Sequence, residues 1–397
     1  MSDKQKAIVA LTFNSQTCTA ALSALTTRSE DGKSAVQVTD LSVILKDLDS
    51  LLALIYNLAT KLSLALKPSS PTYSASLPLL QDLAKHTSRL VHCTGLLQEN
   101  LHGATLIKSV TTRVKEIIEA LRALIQTFLN HAARGPQIAN SRTSGDEYLV
   151  RTGTLHDLIT NAKQPSSGIP KDNQSAVHQL WKSDKESLED NFQEVDRMVK
   201  EAEREDRGIG DNLDGGWDEL GLDDSAGMDQ NELARAKNVH QILRLTTLLH
   251  KRILLDLLAS PAPAPVSAFD NLLVQSNSLL TTSDDLVSTL YSPQDPNSVR
   301  QETIALAKVA AKLHSQMAIF FSATGELEKQ LNALDIENSA STQAPTTQPS
   351  KKKADKKWFE TCFDQIAKLC STLSDSLSQT DNERWLVTQE ERVVVTK

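Results

Sequence analysis

The chain has 397 residues, of which 40% are hydrophobic, 23% charged and only 4% aromatic, and it carries a net charge of −8. That length allows two or three domains with real cores, and the abundance of Leu, Ala, Ser, Lys and Glu favours helices over sheets packed by Val, Tyr and Phe. The four cysteines, Cys18, Cys93, Cys362 and Cys370, form no C-x-x-C pair and their spread gives no disulfide framework, so a reducing compartment is the simplest reading.

Helix follows helix along the chain. A first apolar segment covers about 6–25. It opens with Lys4 and Lys6 before a short apolar run, as a signal peptide does, but Thr12, Asn14, Ser15 and Gln16 break the run, so no leader is expected. No uninterrupted stretch reaches ~18 apolar residues, and no membrane span is expected. Leu41, Ile44, Leu48, Leu51, Ile55, Leu58 and Leu62 then recur at spacings of three and four, which places them on one helical stripe. Lys67-Pro68 stops this helix, and a third runs over about 77–97. The fourth carries Ile107, Val110, Val114, Ile117, Leu121, Leu124 and Phe128, widened by Leu106, Ile118 and Ile125 into a bundle-type face. Residues 136–168 read as a mixed connection with one short helix near Leu155.

A long helix begins after Pro170, with Val177, Trp181, Leu188, Phe192, Val195, Val199 and Ala202 as its apolar face. It leads into an acidic stretch. From Asp184 to Asp229 there are seventeen Asp/Glu against five Lys/Arg, a local charge of −12, so the rest of the chain sums to +4. The part over 205–228 is too polar to pack and reads as a loop. Further helices are expected at 231–259, 267–290 and 297–334, the last with the seam Leu306, Ala310, Leu313, Met317, Phe320, Thr324, Leu327, Leu331 and Leu334. Residues 338–357 are first Ser/Thr/Gln/Pro-rich and then Lys-rich, as disordered linkers are. A last helix over about 357–377 carries Phe359, Ile366, Leu369 and Leu373.

The fold expected is therefore all-α: two helical bundles joined by an acidic loop. The N-terminal bundle spans 1–168, the long helix 169–204, the loop 205–228 and the C-terminal bundle 229–380, with a tail over 381–397. Catalytic chemistry finds no support. The nine histidines form no H-E-x-x-H, and there is neither a G-x-x-x-x-G-K-[ST] loop nor an EF-hand spacing, so no cofactor and no metal are expected.

Several segments resemble a known family. The run Ile169-Pro170-Lys171-Asp172-Asn173, the helix passing through Glu194-Val195 and Val199-Lys200-Glu201, the acidic loop and Leu220-Gly221 are similar to the cyclin-D-interacting family, often called GCIP. Asn231-Glu232-Leu233-Ala234-Arg235-Ala236-Lys237, Leu290-Tyr291-Ser292-Pro293-Gln294 and Trp358 extend the resemblance. It implies an all-α protein of cytoplasm and nucleus that binds D-type cyclins, takes part in restraint of the cell cycle and belongs with helix-loop-helix proteins lacking a basic region. The function expected is thus a non-enzymatic adaptor with protein partners, a cyclin among them. The alternative is a helical tether or cytoskeletal adaptor of the talin–vinculin kind.

Two sets of residues are candidates for that role. Trp217, followed by Leu220 and Leu222 in acidic surroundings, has the composition of a short docking peptide. The plainer reading is that Trp217 folds back and pins the loop to its own bundle, a contact cheaper in entropy. Lys351, Lys352, Lys353, Lys356 and Lys357 form a candidate nuclear import signal, with a solvated linker as the plainer reading. Without interleaved aromatics, these lysines do not indicate sequence-specific DNA binding.

Overall fold

The computed structural model describes residues 1–27, 39–134, 146–206, 228–261, 264–337 and 356–394. Their regular structure is entirely helical, with no strand among them. The chain divides into two compact units, Met1–Gln179 and Leu180–Lys397, and the division falls within a single continuous helix.

The first unit contains α1 (Asp3–Thr27), α2 (Leu41–Ala65), α3 (Tyr73–Gly95), the single turn α4 (Glu99–His102), α5 (Ala104–Arg134), α6 (Glu147–Ala162) and the first turns of α7 (Asn173–Asp206). Helix α1 packs on α3 and α5, and α2 packs on α3 and α6. The expected stripes form the core. In α5, Leu106, Val110, Val114, Ile117, Ile118, Leu121, Leu124, Ile125 and Phe128 are all buried. In α2, Ile44, Leu48, Ile55, Leu58 and Leu62 are buried; Leu52 is fully buried as well, while Leu51 lies half-buried at the edge of the face.

Residues 136–168 were expected to hold one short helix; α6 instead spans 16 residues. Its buried face of Tyr148, Thr152, Leu155, Ile159 and Ala162 keeps the three-four spacing, but Thr and Ala dilute the hydrophobic signal. Thr152 is satisfied there, its Oγ1 lying 2.7 Å from the Ser63 hydroxyl of α2 and donating to or accepting from it.

Two helices, Asp3–Thr27 and Pro296–Phe321, are long and apolar enough to cross a membrane by length and composition. In α1 the apolar face of Ala7, Leu11, Cys18, Ala21 and Leu25 is buried in the first unit. Asn14 lies on the same face and donates from Nδ2 to the Leu80 carbonyl at 2.9 Å.

The segment before α7 is fastened by short-range chemistry. Asp172 accepts from the Ser175 amide at 2.7 Å and from its hydroxyl at 2.6 Å, the pattern of a helix N-cap. Buried Asn173 accepts the Leu106 amide at 2.9 Å, tying the start of α7 to the start of α5. Gly103, at φ 91°, lies against that Asn173 side chain; a Cβ there would sit 2.1 Å from Asn173 Cγ. Only glycine accepts both the backbone angle and the close approach.

The second unit contains the rest of α7, α8 (Gln230–Arg252), which passes into a π-helical turn over Ile253–Leu258, α9 (Val266–Ser288), α10 (Pro296–Glu337) and α11 (Lys356–Val394). Helix α10 packs between α9 and α11, and α11 also packs on α8. Its core includes Leu306, Leu313, Met317 and Phe320 of α10 with Phe359, Phe363 and Ile366 of α11. The rest of the α10 seam, Thr324, Leu327, Leu331 and Leu334, lies outside the described side chains. Cys362 and Cys370 are buried free thiols, pushed up by burial to about 11 and about 12. Helix α11 continues to Val394, well past Thr380, where a tail was expected to begin.

Candidate protein-interaction site

The described part of the acidic stretch lies mainly on α7, which runs antiparallel to α8. Four contacts set their sense. Trp181 stacks on His250 with centroids 4.3 Å apart, and Thr247 donates to the Leu188 carbonyl at 3.5 Å. Further along, Asp196 lies 3.2 Å from His240, and Lys237 pairs with Glu203 at 2.8 Å. As residue numbers rise along α7 they fall along α8. The C-terminal end of α7 and the N-terminal end of α8 therefore lie at the same end of this pair, and the acidic connection joins them there.

The first turn of α8 is held by a polar clasp. Asp229 and Glu232 form a capping box: the Glu232 amide donates to Asp229 at 2.7 Å and the Asp229 amide to Glu232 at 3.1 Å. Glu232 is 6% exposed, and its carboxylate is filled from the turn between α9 and α10. The Gln294 amide donates to Oε1 at 2.6 Å and the Ser292 hydroxyl to Oε2 at 3.0 Å. Gln294, itself buried, accepts Arg235 Nε–H at 2.9 Å. The neighbouring Tyr291 donates its hydroxyl to Glu194 of α7. That carboxylate holds the Tyr291 proton, first through the hydrogen bond, and pushes the phenol above its ordinary pKa. Tyr291 is still 57% exposed.

A different polar chain fixes the other end of the pair. Ser276 of α9 donates to Asp184 at 2.6 Å, and His250 Nε2 lies 2.8 Å from the Ser276 oxygen. The serine proton is committed to Asp184, so His250 donates from Nε2 and its Nδ1 is the deprotonated nitrogen. The Trp181 indole N–H donates to the His250 carbonyl at 3.0 Å. Burial pushes His250 down to about 3, with the nearby Lys185 charge adding to the effect, while burial raises Asp184 against the opposing Ser276 hydrogen bond. Ser, His and Asp meet here, but not as a hydrolytic triad. Histidine must lie between serine and aspartate to take the serine proton; here serine lies between, and the fully buried imidazole acts as a donor.

A groove of about 330 Å³ between α2 and α6 is lined by Tyr56, Asn57, Thr160, Lys163 and other residues, and Lys163 is paired with Asp49 at 3.1 Å. Among the described residues no His, Cys, Asp and Glu group could hold a metal ion.

Trp217, Leu220 and Leu222 lie outside the described residues, as do Lys351, Lys352 and Lys353. Lys356 and Lys357 form the first turn of α11, both exposed, with Lys356 3.5 Å from Glu360. Beside them, Arg252 lies over the Trp358 ring at 4.8 Å and pairs with Asp256 at 2.6 Å, anchoring the start of α11 to the end of α8. The sequence reading missed the clasp. Its signal was the Asp229-x-x-Glu232 spacing of a capping box; its long-range partners Ser292 and Gln294 left no local signal.

These features define an all-α protein of two helical units in which α7 and α8 pair antiparallel. Residues 47–201 match the N-terminal model of the Grap2 and cyclin-D-interacting family, and residues 213–315 match its C-terminal model, so the chain belongs to that family. The C-terminal match takes in Trp217, Leu220, Leu222 and the clasp; the lysine run at 351–357 falls outside both matches. No curated protein matches the chain significantly.

Proposed function

We propose that this protein is a non-enzymatic adaptor of cytoplasm and nucleus that acts in cell-cycle control by binding cyclin-type partners through its acidic connection. Trp217, Leu220 and Leu222 supply the apolar anchors, and the surrounding carboxylates steer a basic partner surface toward them. The observation that carries this reading is the antiparallel pairing of α7 with α8. It ties both ends of the acidic connection to one end of a packed helix pair, so less chain entropy is lost when a partner orders it. Family membership supports this partner class, since the family is named for interaction with Grap2 and cyclin D. Lys351, Lys352, Lys353, Lys356 and Lys357 serve as the import signal in this reading.

Direct titration of the purified full-length chain with a purified D-type cyclin tests it. Saturable binding that weakens as salt rises is the expected result, because screening shortens the reach of the carboxylates. Absence of binding at low salt, with actin or membrane-trafficking proteins captured instead, would replace this reading with that of a helical tether.

A further inference from the structure

The clasp at the start of α8 is built so that one covalent change would reverse it. Ser292 is an exposed residue of the turn between α9 and α10, and its hydroxyl donates to the buried carboxylate of Glu232 at 3.0 Å. One helical turn further along α8, Arg235 donates through Nε to Gln294 at 2.9 Å. The Ser292 hydroxyl thus donates to a carboxylate that shares Gln294 with Arg235, a guanidinium that prefers a dianion to a neutral amide. We propose that Ser292 is a phosphorylation site for an ATP-dependent protein serine kinase, and that its phosphate opens the clasp. This regulation rests on the reading of the acidic connection as the docking element.

The chemistry balances. Ser292 Oγ attacks the γ-phosphorus of ATP and an O–P bond forms. The bond to the bridging oxygen breaks, ADP leaves with the electron pair, and the serine proton passes to the kinase's base. The product has no hydrogen to donate to Glu232. It carries close to two negative charges beside a carboxylate that is 6% exposed. Like charges at that separation in a partly buried site repel strongly, and Arg235 is bonded to the same Gln294 as Glu232. Arg235 turns from Gln294 to the phosphate, and Glu232 leaves the capping box with Asp229. The first turn of α8, which fixes one end of the acidic connection, then frays.

Full-length protein with phosphoserine incorporated at position 292 tests the switch. Amide hydrogen exchange over 229–235 should speed up by roughly ten- to a hundredfold relative to unmodified protein, since charged hydrogen bonds and a cap are lost together. Ser292→Ala, which loses one donor and adds no charge, should change it far less. Arg235→Gln in the phosphorylated protein should speed it further. Unchanged exchange on phosphorylation would overturn the switch, and an indifferent Arg235→Gln would overturn the part given to that residue. Phosphopeptide mapping of the protein from its own dividing cells tests the site: phosphate on Ser292 is expected, and its absence there would overturn the assignment. Amide exchange needs no partner, so it fails or succeeds independently of cyclin binding.

Discussion

Replacing His250 by Asn should make the protein's stability less sensitive to acid, and the size of the effect follows from the buried node around Trp181. His250 is fully buried, and its folded pKa is about 3 against an ordinary 6.5. A depressed histidine contributes stability that is whole above its unfolded pKa and is lost as pH falls toward the folded one, because only the unfolded chain takes up the proton. Between pH 7.5 and 5.5 the imidazole should therefore cost the wild type about 1.4 kcal/mol, and a smaller depression would still give most of this over that window. Asp184 runs the other way. Its raised folded pKa makes its contribution grow as pH falls, so part of the histidine loss is offset in acid. The shorter Asn side chain loses both the Nε2–H bond to Ser276 and the ring stacked on Trp181, which should cost about 2–4 kcal/mol at pH 7.5. Urea unfolding followed by tryptophan emission at several pH values measures both curves. The gap between them should narrow by about 1.4 kcal/mol at pH 5.5. A gap that stays constant from pH 7.5 to 5.5 would show that His250 is not held neutral in the folded protein.

Three further outcomes test the two units. Gly103→Ala drives a Cβ into the Asn173 side chain at a positive φ, and should destabilise the first unit by about 2–4 kcal/mol in urea unfolding; an effect below 0.5 would mean the contact between α4, α5 and α7 is loose. Leu121→Asp buries a carboxylate in the α5 stripe and should cost about 3–5 kcal/mol, seen as a drop in Tm by calorimetry, whereas an unchanged Tm would put that stripe in water. Limited proteolysis should cut first within about 204–228 or 338–357 and leave α5 intact; early cleavage inside 107–128 would contradict the core.

Much of this architecture is legible in the sequence because it is written in local periodicity. The stripes of α2 and α5 come from leucines and isoleucines at three-four spacing, and burial follows them almost residue by residue. Where the face is built from weaker residues the signal fades: α6 buries a Thr and an Ala, and its extent was missed. The register change at Ile253 is also silent in sequence, since π and α turns use the same leucines. The polar features were the least legible. Ser276 and Asp184 stand 92 positions apart, and Gln294 and Glu232 62 apart, so only the folded chain brings them together. A helix was expected to begin after Pro170, and the Asp172 cap and the Asn173 bond to the Leu106 amide hold that start in place.

The central claim is that the acidic connection, not a helical face, binds the partner. Replacing Trp217, Leu220 and Leu222 together by Ala, and measuring both Tm and affinity for a D-type cyclin at low and high salt, tests it most directly. The account predicts a Tm nearly unchanged, since exposed truncations cost well under about 1 kcal/mol, and binding weakened at both salt concentrations. Full-strength binding by the triple variant at both would contradict it. A fall in Tm of the size expected from about 3–5 kcal/mol of lost aromatic burial would instead show that Trp217 packs on its own protein.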